Sequence, residues 1–271
     1  VVAFQRVART HNPAAYDVGA RIGAEVHYNS FHPFRWAYIF YFLTFLVLMV
    51  IWILSKQSLM PAAWTLLAIG FILNTYGFAL RMYIMGRAPV SNMYETVVWV
   101  SWGVILFAVI LEWIYKMRVL LIAGSLVAAF GLVIADFAPA VLDPTLQPLE
   151  PVLRSNYWLT IHVMTITISY AAFFLAFGLG DIGLIYFLKD EKKNAEKIRN
   201  IVTGIYRSMQ IGVAFLAPGI ILGGIWADYS WGRFWGWDPK ETWALITLLG
   251  YLAVLHARYA GMIKQFGMVV T

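Results

Sequence analysis

Seven stretches of the chain stay apolar for long runs, at 36–54, 62–84, 95–114, 119–135, 162–188, 208–226 and 241–262. A helix crosses the hydrocarbon of a bilayer with about 20 apolar residues, so the pattern predicts seven transmembrane helices. A membrane β-barrel would show segments of about ten residues alternating in polarity, and these runs are continuous. The expected fold is therefore all-α, a polytopic transmembrane bundle. Composition agrees: 61% of the 271 residues are hydrophobic and only 13% are charged. Soluble domains carry about 25% charged residues, so this chain lacks the charge to cover a water-facing surface.

The polar intervals set the orientation. Lys189 to Arg207 contains Lys189, Lys192, Lys193, Lys197, Arg199 and Arg207, and such basic intervals face the cytoplasm. Alternation then puts Lys56, Lys116, Arg118 and Lys264 on the same side. The loops 85–94, 136–161 and 227–240 face outward, carrying only Arg87, Arg154, Arg233 and Lys240. The net charge of +6 is thus accounted for by topology, and no nucleic-acid partner is expected. Residues 1–35 are polar, hold Arg6, Arg9, Arg21 and Arg35, and fall outside. They read as a junction segment behind a translocated domain, with residues 36–271 as one membrane domain. The chain has no cysteine, which removes disulfides, thiolate nucleophiles and zinc–thiolate sites.

Chemistry gathers around the external segment 226–243, WADYSWGRFWGWDPKETW. Trp36, Trp52, Trp64 and Trp113 read as interfacial belt residues, but no belt needs Trp226, Trp231, Trp235, Trp237 and Trp243 so close together. Several indoles with Gly232 and Gly236 between them suit a large planar ligand. Asp238, Pro239 and Glu241 also form a helix-start pattern, so Asp238 has a structural reading beside a binding one. His162 opens its helix at the outer face. His256 lies 15 residues beyond Glu241, about 22 Å down that helix, in the inner leaflet and two residues before Arg258. An ionisable group at that depth is a functional candidate; the plainer reading is a histidine bonded to a neighbouring helix. The two histidines lie near opposite faces and cannot share one iron.

The run Trp231 to Ala244, with Leu255-His256-Ala257-Arg258, resembles the WWD domain of haem-handling proteins in c-type cytochrome assembly. PVSNMYET (Pro89 to Thr96) and SNYW followed by His162 resemble the CcsA half of the CcsB–CcsA, or system II, cytochrome c synthases. EVHYNSFHPF (Glu25 to Phe34) resembles the junction where the two halves are fused. The resemblance implies eight spans in a complete CcsA part. It also implies haem b as the non-covalently bound group, with axial iron ligands at His162 outside and His256 within the membrane. Trp226, Trp231, Trp235, Trp237 and Asp238 belong to the binding loop, and Arg258, Arg154 or Arg233 are candidates to pair with haem propionates. In the family a second external histidine lies beyond the position of Thr271, and the partner of the membrane histidine lies in CcsB. His27 and His32 are weaker candidates, and His11 reads as a surface residue.

The expected function is export of haem across the bacterial inner membrane. Haem would then be presented at the periplasmic face to an apocytochrome c bearing CXXCH, for covalent attachment as by a holocytochrome c synthase. No residue reads as an acid, base or nucleophile for that step, so no catalytic residue is assigned. The alternative is a haem carrier of the CcmC type that loads a haem chaperone without synthase activity. A secondary transporter would show inverted repeats, and none is visible.

Overall fold

A computed structural model describes Val7, residues 19–146 and residues 156–271. Arg154, Ser155, His11, Arg6 and Arg9 lie outside the described residues. Most of the described residues are helical, with no strand among them. In chain order the helices are α1 (Gly19–Phe31), α2 (Pro33–Leu54), α3 (Met60–Met85), α4 (Met93–Tyr115), α5 (Val119–Phe137), α6 (Asn156–Asp190), α7 (Ala195–Trp231), α8 (Pro239–Tyr259) and α9 (Gln265–Val270).

Among the described residues, six helical segments are long and apolar enough to cross a membrane, where the sequence pattern predicts seven. The seventh, α8, has 21 residues, but Lys240, Glu241, His256 and Arg258 dilute its apolar character. The intervals differ as well. Most of Lys189 to Arg207 is helix rather than loop, because α6 runs on to Asp190 and α7 begins at Ala195. Those basic residues are good helix formers, while Ile198, Ile201, Val202 and Ile205 of α7 are buried. Likewise α7 continues to Trp231, so the irregular part of the tryptophan segment shrinks to 232–238.

The α6–α7 hairpin is the most extensive helix pair, and α2–α3 and α4–α5 are the next two. The core runs between α2, α4, α5, α6 and α7 and is filled by side chains such as Tyr41, Leu48, Val104, Leu120, Leu175 and Ile198. Without a hydrophobic drive between helices in lipid, small residues allow close approach. A Cβ at Gly77 would stand 2.6 Å from the ring of Phe34. By contrast α8 has one buried residue, Leu255, although its Tyr251 ring stacks on Phe173 of α6 at 3.8 Å. Beyond it α9 folds back onto α6 and α7 and buries Met268 and Val269.

Candidate functional site

The N-terminal part of α6 and the C-terminal part of α7 meet at a Gly219-Ile220-Ile221-Leu222-Gly223 stretch, the small-residue spacing that lets two helices touch. His162 lies over it. Its Nδ1 is 2.8 Å from the carbonyl oxygen of Gly219. A carbonyl only accepts, so Nδ1 carries the proton and donates, and the lone pair of the neutral ring resides on Nε2. A Cβ at Gly223 would lie 2.6 Å from Cε1 of the imidazole, so only glycine leaves room for the ring. The ring also stacks on Trp226, parallel within 5° at 6.4 Å between centroids. Trp226 in turn meets Trp231 edge-on at 4.6 Å. The Nε1 of Trp226 is buried without a hydrogen-bond partner, a costly state that a bound polar group would relieve.

From Trp231 the chain turns through Gly232, left-handed at φ 74°, and sends Phe234 back over Gly224, where a Cβ would stand 2.7 Å from the ring. Arg233 ties the loop. It donates to Glu241 at 2.9 Å and to Asp238 at 3.4 Å, and its guanidinium lies 5.7 Å from the centroid of the Trp231 ring. Asp238 and Glu241 close a capping box on α8, the Asp238 side chain accepting from the Glu241 N–H at 2.9 Å. That bond, before the nearby Arg233, holds the Asp238 carboxyl below its ordinary pKa. Asp238 is thus occupied in forming the loop, as is Arg233, which has two carboxylate partners inside the protein. Trp237 is the strained member: a bulky residue at φ 56°, a conformation that costs energy and clusters at ligand clamps. Its side chain is 69% exposed. Trp235 packs edge-on against it at 5.6 Å.

His256 lies elsewhere, exposed on α8, with Nδ1 2.7 Å from the Leu252 carbonyl of its own helix. The same tautomer argument leaves its Nε2 free. Arg258 is not free beside it, since it donates to the Ile263 carbonyl at 2.8 Å and ties the α8–α9 turn. His27 bonds the Tyr76 hydroxyl at 2.9 Å and stacks on Phe31, and His32 starts α2 in a left-handed conformation. Trp52, read from sequence as a belt residue, is half-buried and donates to the Tyr186 hydroxyl at 2.8 Å. Among the described residues, no three His, Asp or Glu side chains converge as a metal site.

One centre went unread in the sequence. Arg81 of α3 and Glu95 of α4 form a fully buried ion pair at 2.8 Å. Arg81 also donates to the Tyr28 hydroxyl and the Pro144 carbonyl, and it lies 5.1 Å from the Tyr94 ring centroid. Glu95 accepts from the backbone N–H and hydroxyl of Ser91, while Asn92 caps α4 by accepting from the Glu95 N–H. PVSNMYET is thereby a folding knot that ties α1, α3, α4 and the segment after α5 together. The visible signal is an arginine inside an apolar run.

The comparisons with known proteins converge. Residues 90–269 match the family model described as cytochrome C assembly protein. A cytochrome c biogenesis protein CcsA of Synechococcus sp. (strain CC9902) is 33% identical over 238 residues, 76% of this chain and 77% of that protein. The CcsA of Guillardia theta is 35% identical over 198 residues, 64% of each chain. The protein NrfI of Wolinella succinogenes is 38% identical over 191 residues, 69% of this chain but 21% of the relative. Against these relatives the chain thus spans from about a fifth to about three quarters of the partner's length. With a family match over most of the chain and a multi-helix membrane bundle behind it, this protein belongs to the cytochrome c assembly family.

Proposed function

We propose that the chain handles haem as substrate. It takes haem b from the cytoplasmic side of a bacterial inner membrane and presents it at the outer face to an apocytochrome c. The two CXXCH thiols of that acceptor add to the haem vinyl groups. The observation that carries this reading is His162: a neutral imidazole whose Nδ1 is spent on Gly219, so that its Nε2 is left free to ligate iron beside the Trp226–Trp231 pair. Such second-sphere bonds fix the tautomer and orientation of a metal-binding histidine. Trp231, Trp235 and Trp237 offer planar contact area, and the strained backbone at Trp237 keeps its indole displayed.

The chain's own work is positioning. The Gly219–Gly223 face holds the imidazole, the Arg233–Asp238–Glu241 knot holds the tryptophans, and the absence of cysteine leaves the acceptor's thiols without a competing partner. His256 supplies a second ligand farther along α8, and the exposed apolar side chains of that helix, Trp243, Ile246 and Leu249 among them, suit a CcsB subunit carrying the opposite ligand.

The test is maturation of a reporter cytochrome c by the protein with its flanking segments. His162→Gly abolishes maturation, and added imidazole restores part of it by entering the vacated space. Alanine at Trp231 or Trp237 weakens haem retention by about 1–3 kcal/mol and is not rescued. His256→Ala lowers haem content. Full maturation by His162→Gly without imidazole overturns the reading.

A further inference from the structure

At the end of the bundle that carries Lys189 and Lys197, a cavity of about 440 Å³ opens between α2, α5, α6 and α7. Its walls are apolar, among them Phe45, Leu48, Ile122, Ile182 and Ile201. Along α2 it reaches from Trp52 to Phe45, and along α5 from Val119 to Leu126, a span of about 10 Å in each case. Its rim is cationic. Arg118 and Lys197 line it, and both are exposed. Among the described residues neither is bridged to a carboxylate. Lys197 lies 5.2 Å from the Tyr186 ring, and Lys189 lies 5.8 Å from the ring of Trp52, which is itself bonded to Tyr186. Arg118 is held at the mouth by a turn in which Lys116 and Arg118 both have positive φ and the Arg118 N–H donates to buried Glu112.

We propose that this cavity binds one anionic phospholipid, an acyl chain between the four helices and the phosphate between Arg118 and Lys197. The chemistry selects the occupant. A dry apolar shaft about 10 Å deep takes hydrocarbon, and two unbridged cations at its mouth take a phosphate. The aromatic pair Trp52 and Tyr186 lies close to the ends of α2 and α6, and amphipathic rings in such places mark a bilayer interface. Basic pockets between transmembrane helices bind anionic headgroups on these terms. No histidine lines the cavity, so it differs in kind from the places of His162 and His256.

The test uses the protein with its flanking segments, purified from a membrane containing phosphatidylglycerol and phosphatidylethanolamine. Co-purified lipid is measured by mass spectrometry and haem by absorption. Arg118→Gln/Lys197→Gln lowers retained phosphatidylglycerol roughly thirtyfold, the scale set by two basic residues near an anionic surface, and leaves phosphatidylethanolamine and haem unchanged. Ile122→Trp, which fills the shaft, does the same. Should the Trp variant fail to fold, the charge variant decides alone. Unchanged phosphatidylglycerol overturns the proposal, as when a partner helix fills the cavity. Haem falling in place of lipid overturns it too and makes the cavity a haem site. Haem lost from His256→Ala with lipid retained separates failure of this site from failure of the haem reading.

Discussion

Arg81 and Glu95 illustrate how much a single residue can carry in this fold. Removing one partner of a fully buried ion pair strands the other charge and costs about 3–5 kcal/mol, whereas replacing both with apolar residues of similar size can be neutral. Glu95→Ala or Arg81→Ala therefore lowers the unfolding temperature in detergent sharply, and Arg81→Met/Glu95→Leu recovers most of the loss. A double variant no better than the singles would show that the bonds to Tyr28, Pro144 and Ser91 matter more than the pair. At this scale the sequence was legible in part. Two histidines and a tryptophan cluster declare themselves by being out of place among apolar residues. That Asp238 and Arg233 are bound to each other, or that Arg258 holds a turn, depends on loop geometry that no spacing rule contains.

Between helices the decisive feature is the Gly219–Gly223 face of α7. Gly223→Ala puts a methyl group against the His162 ring and moves the imidazole, and a displacement of about 1 Å at a reacting centre can cost about a hundredfold in rate. Haem occupancy and maturation fall while helix content, read by circular dichroism, stays that of the parent. Retained maturation would mean that His162 adapts by another rotamer and that its present seat is not required. The Gly-x-x-x-Gly spacing is readable in the sequence, but the helix it faces is not, because apolar runs carry no information on which neighbours touch. The same limit explains the misplaced boundaries of α6 and α7. Hydropathy reports where a helix meets lipid, and both helices continue past that point on residues that are polar yet helix-forming. Of the seven apolar runs, the one carried by α8 is the least apolar, and that helix contacts chiefly α7, with Tyr251 stacked on α6.

For the molecule as a whole, the sidedness of the haem reading is the assumption to check, and the absence of cysteine makes that clean. Single cysteines at Ala195 and Thr145 should react with an impermeant maleimide on opposite sides: Thr145→Cys in intact cells, Ala195→Cys only after permeabilisation. The reverse result would invert every assignment of inner and outer face. The α6–α7 hairpin adds a constraint of another sort. At 35 and 37 residues its helices are about 50–55 Å long, against a hydrocarbon thickness of about 30 Å. One end of α7 bears lysines and arginines, and the other ends in indoles, so neither end slides easily through the slab. The hairpin is a ruler with both ends marked. Depth in the membrane is thereby set for His162, and a bilayer too thin or too thick must tilt the ruler or deform around it. Lipid chain length becomes a control on where the imidazole stands relative to water, without any change in the protein.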